Sequence, residues 1–538
     1  MALSATTVWE VETGGSDTVG SGAFDPGQTA GMFTDGAATS ATSAAPVFTS
    51  ASYNFVAGDA NAWLYIASGT NWTAGWYKIS SVASNAATLD ATIGHAVLKA
   101  PMVPSTATGC ATTASPTSAT WTIDYSQQNG SQFTYTDLSS TGVGLTASSA
   151  GHPFGKQYVG NSIVVTGGTN FTTGRYVLAS VAVGVGTFLG AANLHTAAGT
   201  DSDGAGRMGG AVASPGQIGA IIIGSNSVFI QSGTYTIASA STNIATGCWA
   251  PTVTNVYTEG YQTVRGDRAA RPLLQASGIS TFTVWATPNN GDHLVVNIGI
   301  DGATLTSSKG FSTLRATLYL CSAINCTNSG FVTSGSNLFC SATGCSTAAA
   351  FLNGGASYLY GCVAYSNTIT GFSYGSSAYF DHCLAYSNSG ASSDGFLLNA
   401  QVSIAANCVA YANGRDGFHG STLQGYINCI SESNTGVGFT TSSAQSFRVN
   451  CATFGNGSVT SGTFTNSAGN LTGSASFFTN AASGDFSLNS TAGAGAILRA
   501  TGLPGVFPVG LTTGYLDIGA AQHADPAGGG ESVAIFGG

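Results

Sequence analysis

Charge is what this sequence has least of. Its 538 residues include 13 Lys and Arg, 23 Asp and Glu and 7 His, so only 7% are charged and the formal net charge is −10. A nucleic-acid surface needs a basic stripe; 13 scattered cations supply none, so no nucleic-acid partner is expected. Disorder is excluded from the other side, because 43% hydrophobic and 10% aromatic residues can build a core. No apolar run is long enough to cross a bilayer, so no membrane insertion is expected. The opening MALSATTVWEVETGG lacks the basic and apolar regions of a secretory leader, and no signal peptide is expected there. Helical signal is also scarce: SPGQIGAIIIG (214–224) reads as one short helix, placed where a stack of strands needs covering.

What is abundant is glycine, 75 residues of it, and a repeat. CVAYSN (362–367), CLAYSN (383–388), CVAYAN (408–413), CISESN (429–434) and CATFGN (451–456) share one frame. CSAINC (321–326) and CSATGC (340–345) fit it with Cys in place of the final Asn. With Ile300 taken as in phase one step earlier, the steps are 21, 19, 22, 21, 25, 21 and 22 residues. Phe311, Phe331, Phe351, Phe372, Phe396, Phe418 and Phe439 keep the same time, and all but Phe351 follow a Gly. A period near 21 in units rich in Gly, Ser, Asn and β-branched residues predicts one rung of a parallel β-helix per repeat.

Alternation within CVAYSN points Cys362 and Ala364 inward, and Val363 and Tyr365 outward. Cys362, Cys383, Cys408, Cys429 and Cys451 then form an inner column of small side chains. Asn367, Asn388, Asn413, Asn434 and Asn456 fall at the next turn, where Asn tolerates left-handed backbone and its amide can bond the next Asn. The cysteines read as reduced; Cys321–Cys340 and Cys326–Cys345 bridges stay open. Stacked thiols on a dry inner face do not form a tetrahedron, so neither a metal nor another cofactor is expected.

A second repeat occupies the first 213 residues. WLYIASGTNWTAGWYKISSV (63–82) aligns with SIVVTGGTNFTTGRYVLASV (162–181) at an offset of 99, which Asp25 and Asp124 share. Each copy reads as strand, G-T-N turn, strand, in a small antiparallel barrel or sandwich. GTDSDGAGRMGG (199–210) reads as a flexible connector. The fold class is therefore all-β: two duplicated modules (1–115 and 116–213), a right-handed parallel β-helix (214–495), and a C-terminal cap and tail (496–538). FTNSAGNLTGSASFF and DFSLNSTAGAGAIL are expected to form wider final rungs.

GTYTI (233–237), EGYQTVRGD (259–267), the C-x-A-x-x-N rungs and LDIGAAQ (516–522) together resemble the pectate-lyase-like superfamily of right-handed β-helix proteins. The order of small β modules followed by a β-helix also resembles the fibre and tailspike proteins of tailed bacteriophages. The first resemblance implies the fold; lyases, hydrolases, adhesins and tailspikes all use it.

An enzyme on this fold would need carboxylates or cations from neighbouring rungs on an outer face. The best cluster is Asp394, Asp416 and His419, because residues before successive Gly-Phe markers should stack. Arg415 shares that turn, and Glu432 follows on the next rung. The bland reading is that both Asp side chains cap backbone, and that His382 and His419 are exposed surface residues. Arg265, Asp267 and Arg268 are expected to pair with each other. The position three after each key Cys holds Tyr365, Tyr386, Tyr411, Glu432 and Phe454. Tyr365, Tyr386 and Tyr411 are expected as an outward strip, stacked on sugar rings or covered by a second copy of the chain. The leading expectation is a non-enzymatic structural or adhesive protein on a virion surface, a homo-oligomer such as a trimer, with other virion proteins and a host cell-surface glycan as partners. The alternative is a polysaccharide lyase or glycoside hydrolase, tailspike-borne or extracellular.

Overall fold

The structure is a computed structural model that describes residues 4–18, 20–39, 46–96, 115–127, 133–219, 221–237, 253–263, 265–277, 282–287, 292–302, 308–353, 355–399, 402–503 and 516–522. They fall into two compact units. One holds residues 1–235 with 241–273 and 293–298; the other holds 236–240, 274–292 and 299–538. The units thus do not divide at 213/214.

The first unit contains two closed antiparallel barrels of six strands each. Phe33–Ala38, Val47–Thr49, Trp63–Thr70, Gly75–Ala83, Ala86–Ala96 and Thr117–Asp124 make one; Phe133–Thr141, Thr146–Ser149, Ser162–Gly167, Gly174–Ala182, Val185–Leu189 and Thr200–Met208 make the other. The 99-residue offset reappears in the pairing, with Trp63 opposite Lys78 and Ser162 opposite Val177. The G-T-N turns work because Asn71 (φ 61°) and Asn170 (φ 57°) accept left-handed backbone.

Three expectations are corrected in this unit. Thr117–Asp124 closes the first barrel against Trp63–Thr70, so a module boundary at 115/116 cuts through it. Residues 199–210 are not a connector, since Thr200–Met208 is the closing strand of the second barrel. Its glycines serve close approach: a Cβ on Gly204 would lie 2.6 Å from Leu138 Cβ, and one on Gly206 2.8 Å from the Val164 carbonyl oxygen. Arg265 does not pair with Asp267. It is fully buried, donating from Nε to Glu10 (2.7 Å) and from Nη1 to Asp124 (3.1 Å). Arg268 binds Glu259, and Asp267 accepts from the N–H groups of Gln262 and Thr263. Val8–Val11 stands outside the barrels, in parallel with Ser227–Ile230. The expected helix is one short turn, Pro215–Gly219.

The second unit is a parallel solenoid with three stacks of strands. One runs in register through the seven Phe markers. Consecutive rings lie 4.6–5.0 Å apart and within 18° of parallel, so each ring covers the next at the strand spacing itself. A Cβ on Gly395 would sit 2.7 Å from the Gly417 carbonyl oxygen of the following rung, which is why glycine precedes the ring. The second stack runs through Ala323, Ala342, Ala364, Ala385 and Ala410. The third runs through Ser336, Tyr358, Tyr379 and Ile404. Ile300 pairs with Ala323, so it stands two residues past the level of Cys321.

The inner columns form as the alternation requires. Cys362, Cys383, Cys408, Cys429 and Cys451 are buried, and all nine described cysteines are free, without Cys321–Cys340 or Cys326–Cys345 bridges. Cys110 and Cys248 lie outside the described residues. Each Asn amide of the ladder donates to the next: Asn367 to Asn388, Asn388 to Asn413, Asn413 to Asn434 and Asn434 to Asn456, every link 2.8 Å. The left-handed residue, however, is the one before each Asn: Ser366, Ser387, Ala412, Ser433 and Gly455. Asn is selected for its two-sided amide, not for its backbone.

The C-terminal segment does not widen the last rungs. Asn466–Ala468 and Leu471–Thr472 continue the stack, but Phe478–Asn480 and Asp485–Leu488 form an antiparallel pair. Phe477, Phe478, Phe486, Leu488, Leu498, Ile518 and Ala520 then pack on the outer side of the second stack, over Leu384, Val409, Ile430 and Ala452.

The ladder gives a stability prediction. Asn413→Ala removes the acceptor of the Asn388 amide and the donor to Asn434 and to the Ala385 carbonyl, in a dry interior. It should cost roughly 2–4 kcal/mol in denaturant unfolding. Asn456→Ala, at the half-buried end of the ladder, should cost less than half of that.

Candidate functional site

Asp394, Asp416 and His419 come together as their stacked turns require; one ligand atom from each lies within 4.8 Å of the others. Arg415 completes the cluster. Asp394 is fully buried and takes Arg415 in a two-pronged contact, Nε at 2.7 Å on Oδ1 and an Nη2 contact on Oδ2; Oδ1 also accepts the Asp416 N–H at 3.2 Å. Asp416 accepts from the Val437 N–H (2.8 Å) on Oδ1, and from His419 Nδ1 (2.8 Å) and Thr440 Oγ1 (3.1 Å) on Oδ2. Both carboxylates therefore cap backbone, as the bland reading has it, but on the following rung instead of their own turn.

The electrostatics follow from those contacts. Burial pushes the Asp394 carboxyl up, and Arg415 offsets only part of that. Burial acts on Asp416 in the same direction, but the donors His419, Val437 and Thr440 outweigh it and hold the carboxyl below its usual value. Asp394 in turn pushes the Arg415 guanidinium up. All four carboxylate oxygens are occupied, and a cation would have to displace Arg415 to reach Asp394. The His419 side chain is 26% exposed.

His382 is corrected from a surface residue: it is buried against Asp381, with Nδ1 2.7 Å from Oδ1, and beside Tyr360. Glu432 is buried too, and it accepts the Phe477 N–H at 3.0 Å.

The tyrosine strip is covered, but by this chain. Tyr365 stacks on Tyr386 at 5.2 Å and 9°. Tyr386 packs on Phe486 (5.0 Å), and Tyr411 on Phe478 (6.0 Å) and Phe486 (5.6 Å). The apolar strip calls for a lid, and the Phe-bearing segment just downstream reaches it without a second molecule. Tyr386 and Tyr411 are thus engaged by their own chain, while Tyr365 has its ring contact with Tyr386.

The bare aromatics lie on the third stack. Tyr358 and Tyr379 are 38% and 39% exposed and stack at 5.8 Å and 13°. They line an open groove of ≈ 490 Å³ with Gly335, Ser336, Ala356 and Ile404. A second recess of ≈ 390 Å³ shares Gly335, Ser336 and Ala356, and reaches the exposed pair Arg315–Asp292, 3.7 Å apart. The signal was present in the sequence: Thr317, Ser336, Tyr358, Tyr379 and Ile404 each stand four residues before a key Cys.

No protein-family model matches the chain, and no curated protein matches it. Among solved structures it is similar to the pectate lyase Pel9A, with a TM-score of 0.41 at 15% identity, over 58% of this chain and 92% of that one. It is similar to a rhamnogalacturonan lyase (0.34, 14% identity, 48% and 83% covered) and to the tailspike protein gp49 from Pseudomonas phage LKA1 (0.21, 10% identity, 64% and 62% covered). The solenoid is a parallel β-helix by its own strand pairing. The likeness is one of fold, and the chemistry of this chain rests on its own side chains.

Two predictions follow from these contacts. A carboxyl held below its usual pKa contributes stability above the unfolded value, and loses it as pH falls through the folded one. Asp416→Asn should therefore flatten the fall of Tm with acidification below about pH 4; an unchanged acid limb would contradict the assignment. Asp394 has the opposite sign, its contribution fading as pH rises through its raised value. Separately, Tyr386→Ser with Tyr411→Ser should release the C-terminal cover. Limited proteolysis within 476–503 should become roughly tenfold faster, with the sedimentation coefficient of the intact protein unchanged.

Proposed function

We propose that the protein is a non-enzymatic, adhesive component of a phage virion surface, a head fibre, tail fibre or spike. The N-terminal barrels attach it, and the β-helix meets a cell-surface glycan. The observation that carries the non-enzymatic part is the occupancy of the Asp394–Asp416 cluster. A general acid or base needs a carboxyl oxygen facing substrate. Here each of the four oxygens already accepts a hydrogen bond from Arg415, Asp416, Val437, His419 or Thr440. What supports adhesion is the exposed Tyr358–Tyr379 stack in an open groove, since bare aromatic rings suit sugar faces. The virion placement rests on the resemblance of the chain's layout to phage fibres and tailspikes.

A polysaccharide lyase or hydrolase is the second reading. It is favoured by one observation, the exposed Arg315–Asp292 pair at the end of the groove, where a cation and a carboxylate both face solvent. Incubation with neutral and acidic polysaccharides, followed by chromatography of the products, separates the two. The expected result is no cleavage. Cleavage abolished by Arg315→Ala, or by Asp394→Asn or Asp416→Asn, would establish the enzyme and reject the adhesive reading.

A further inference from the structure

The outward column of the third stack changes character between two rungs. Thr317 pairs with Ser336, Ser336 with Tyr358, Tyr358 with Tyr379, and Tyr379 with Ile404. Tyr379 of the next rung stacks on the Tyr358 ring at 5.8 Å, and Tyr360 of its own strand lies near-parallel to it at 6.5 Å. On the other side the ladder offers Ser336, whose side chain is far too short to cover a ring. The result is a step: a ring face of Tyr358 looks across one rung of small residues toward a second, at Thr317.

The step is kept open by the backbone. A Cβ on Gly335 would meet the Ala316 carbonyl oxygen at 2.3 Å, so that position admits no side chain. Ala356 adds only a methyl group. The two recesses, ≈ 490 and ≈ 390 Å³, adjoin over Gly335, Ser336 and Ala356. A missing rung-width of side chain is ~4.8 Å, about the thickness of one pyranose ring.

The geometry points to a glycan-binding recess in which a neutral pyranose lies on the free face of Tyr358, over Ser336 and Thr317. This deepens the adhesive reading and rests on it. The ring's axial C–H face meets the aromatic face, and its hydroxyls meet the rim. That rim is Ser336, Ser357, Ser377 and Thr317, with Arg315 and Asp292 at the far end. Arg315 and Asp292 are of opposite charge and 3.7 Å apart, so their net charge is zero while donor and acceptor stand together, as a vicinal diol requires. A uronate would bring its carboxylate beside Asp292, with no cation other than the shared Arg315 among the described residues that line the groove. The recess therefore selects a neutral sugar, one or two residues long.

The test uses the full chain and a panel of fluorescently labelled gluco-, galacto- and manno-oligosaccharides, with oligogalacturonates as the charged arm. At least one neutral member should bind. Ser336→Tyr extends the ring ladder and fills the step, and should abolish that binding; Tyr358→Ala should weaken it at least about tenfold, ~1.4 kcal/mol. Tyr358→Phe keeps the ring and should bind within about twofold of the native chain. Melting curves of Ser336→Tyr and Tyr358→Phe should match the native one, since both side chains stand outside the core. Neutral binding that survives Ser336→Tyr would overturn this recess and leave the adhesive reading intact. Preference for oligogalacturonate, lost in Arg315→Ala, would overturn the neutral assignment. No binding by any panel member would overturn the recess, and cleavage of one would overturn the adhesive reading with it.

Discussion

Every feature of the solenoid answers to one distance, the step between stacked strands of ~4.8 Å. A side chain that recurs on successive rungs meets its own copy at that step. Aromatic rings tolerate this by stacking, as the seven Phe rings do at 4.6–5.0 Å. Amides tolerate it because each has a donor and an acceptor, and the Asn ladder links at 2.8 Å. Thiols and methyl groups tolerate it by being small. Like charges do not, since two carboxylates one step apart in a dry interior would repel by several kcal/mol. Where acids follow each other on the outer turn, at Asp394 and Asp416, Arg415 lies on Asp394 and His419 on Asp416, so opposite charge is interleaved.

A column that repeats without change is structural, and a column that changes is where the surface acquires shape. The +3 column passes from Tyr411 to the buried Glu432, and at that level the C-terminal segment docks, its Phe477 N–H on the Glu432 carboxylate. The −4 column passes from Ser336 to Tyr358, and there a recess opens instead. Both begin as the same device, a stack of outward tyrosines. One is closed by downstream Phe residues of the same chain, and the other is left bare because no such segment crosses it among the described residues.

The inner architecture was legible because period-two alternation and the step act on the same residues. Cys362, Ala364 and Phe372 must point inward together, and they do. The strand-turn-strand halves of both barrels were legible from the G-T-N turns for the same local reason. Barrel closure was not. Thr200–Met208 is rich in Gly and Asp, and its identity as a strand depends on Leu138 and Val164 from distant sequence leaving no room for side chains. Arg265 was misassigned on the same account, because its partners Glu10 and Asp124 are 255 and 141 residues away. The Asp394–Asp416–His419 cluster was legible as a place. Its saturation was not, since that depends on Val437 and Thr440 one rung later.

The division between folding and function follows from these same facts. Inner columns are fixed by the step and cannot vary without cost to both neighbours, so they carry no chemistry. The Asp394–Asp416 turn cluster is drawn into the same economy, since its acids hold rungs together. An outer column is released from stacking beside Tyr358, where the ladder passes from Tyr379 on one side to Ser336 on the other. The fold supplies the platform, and a single small residue, Ser336, supplies the vacancy.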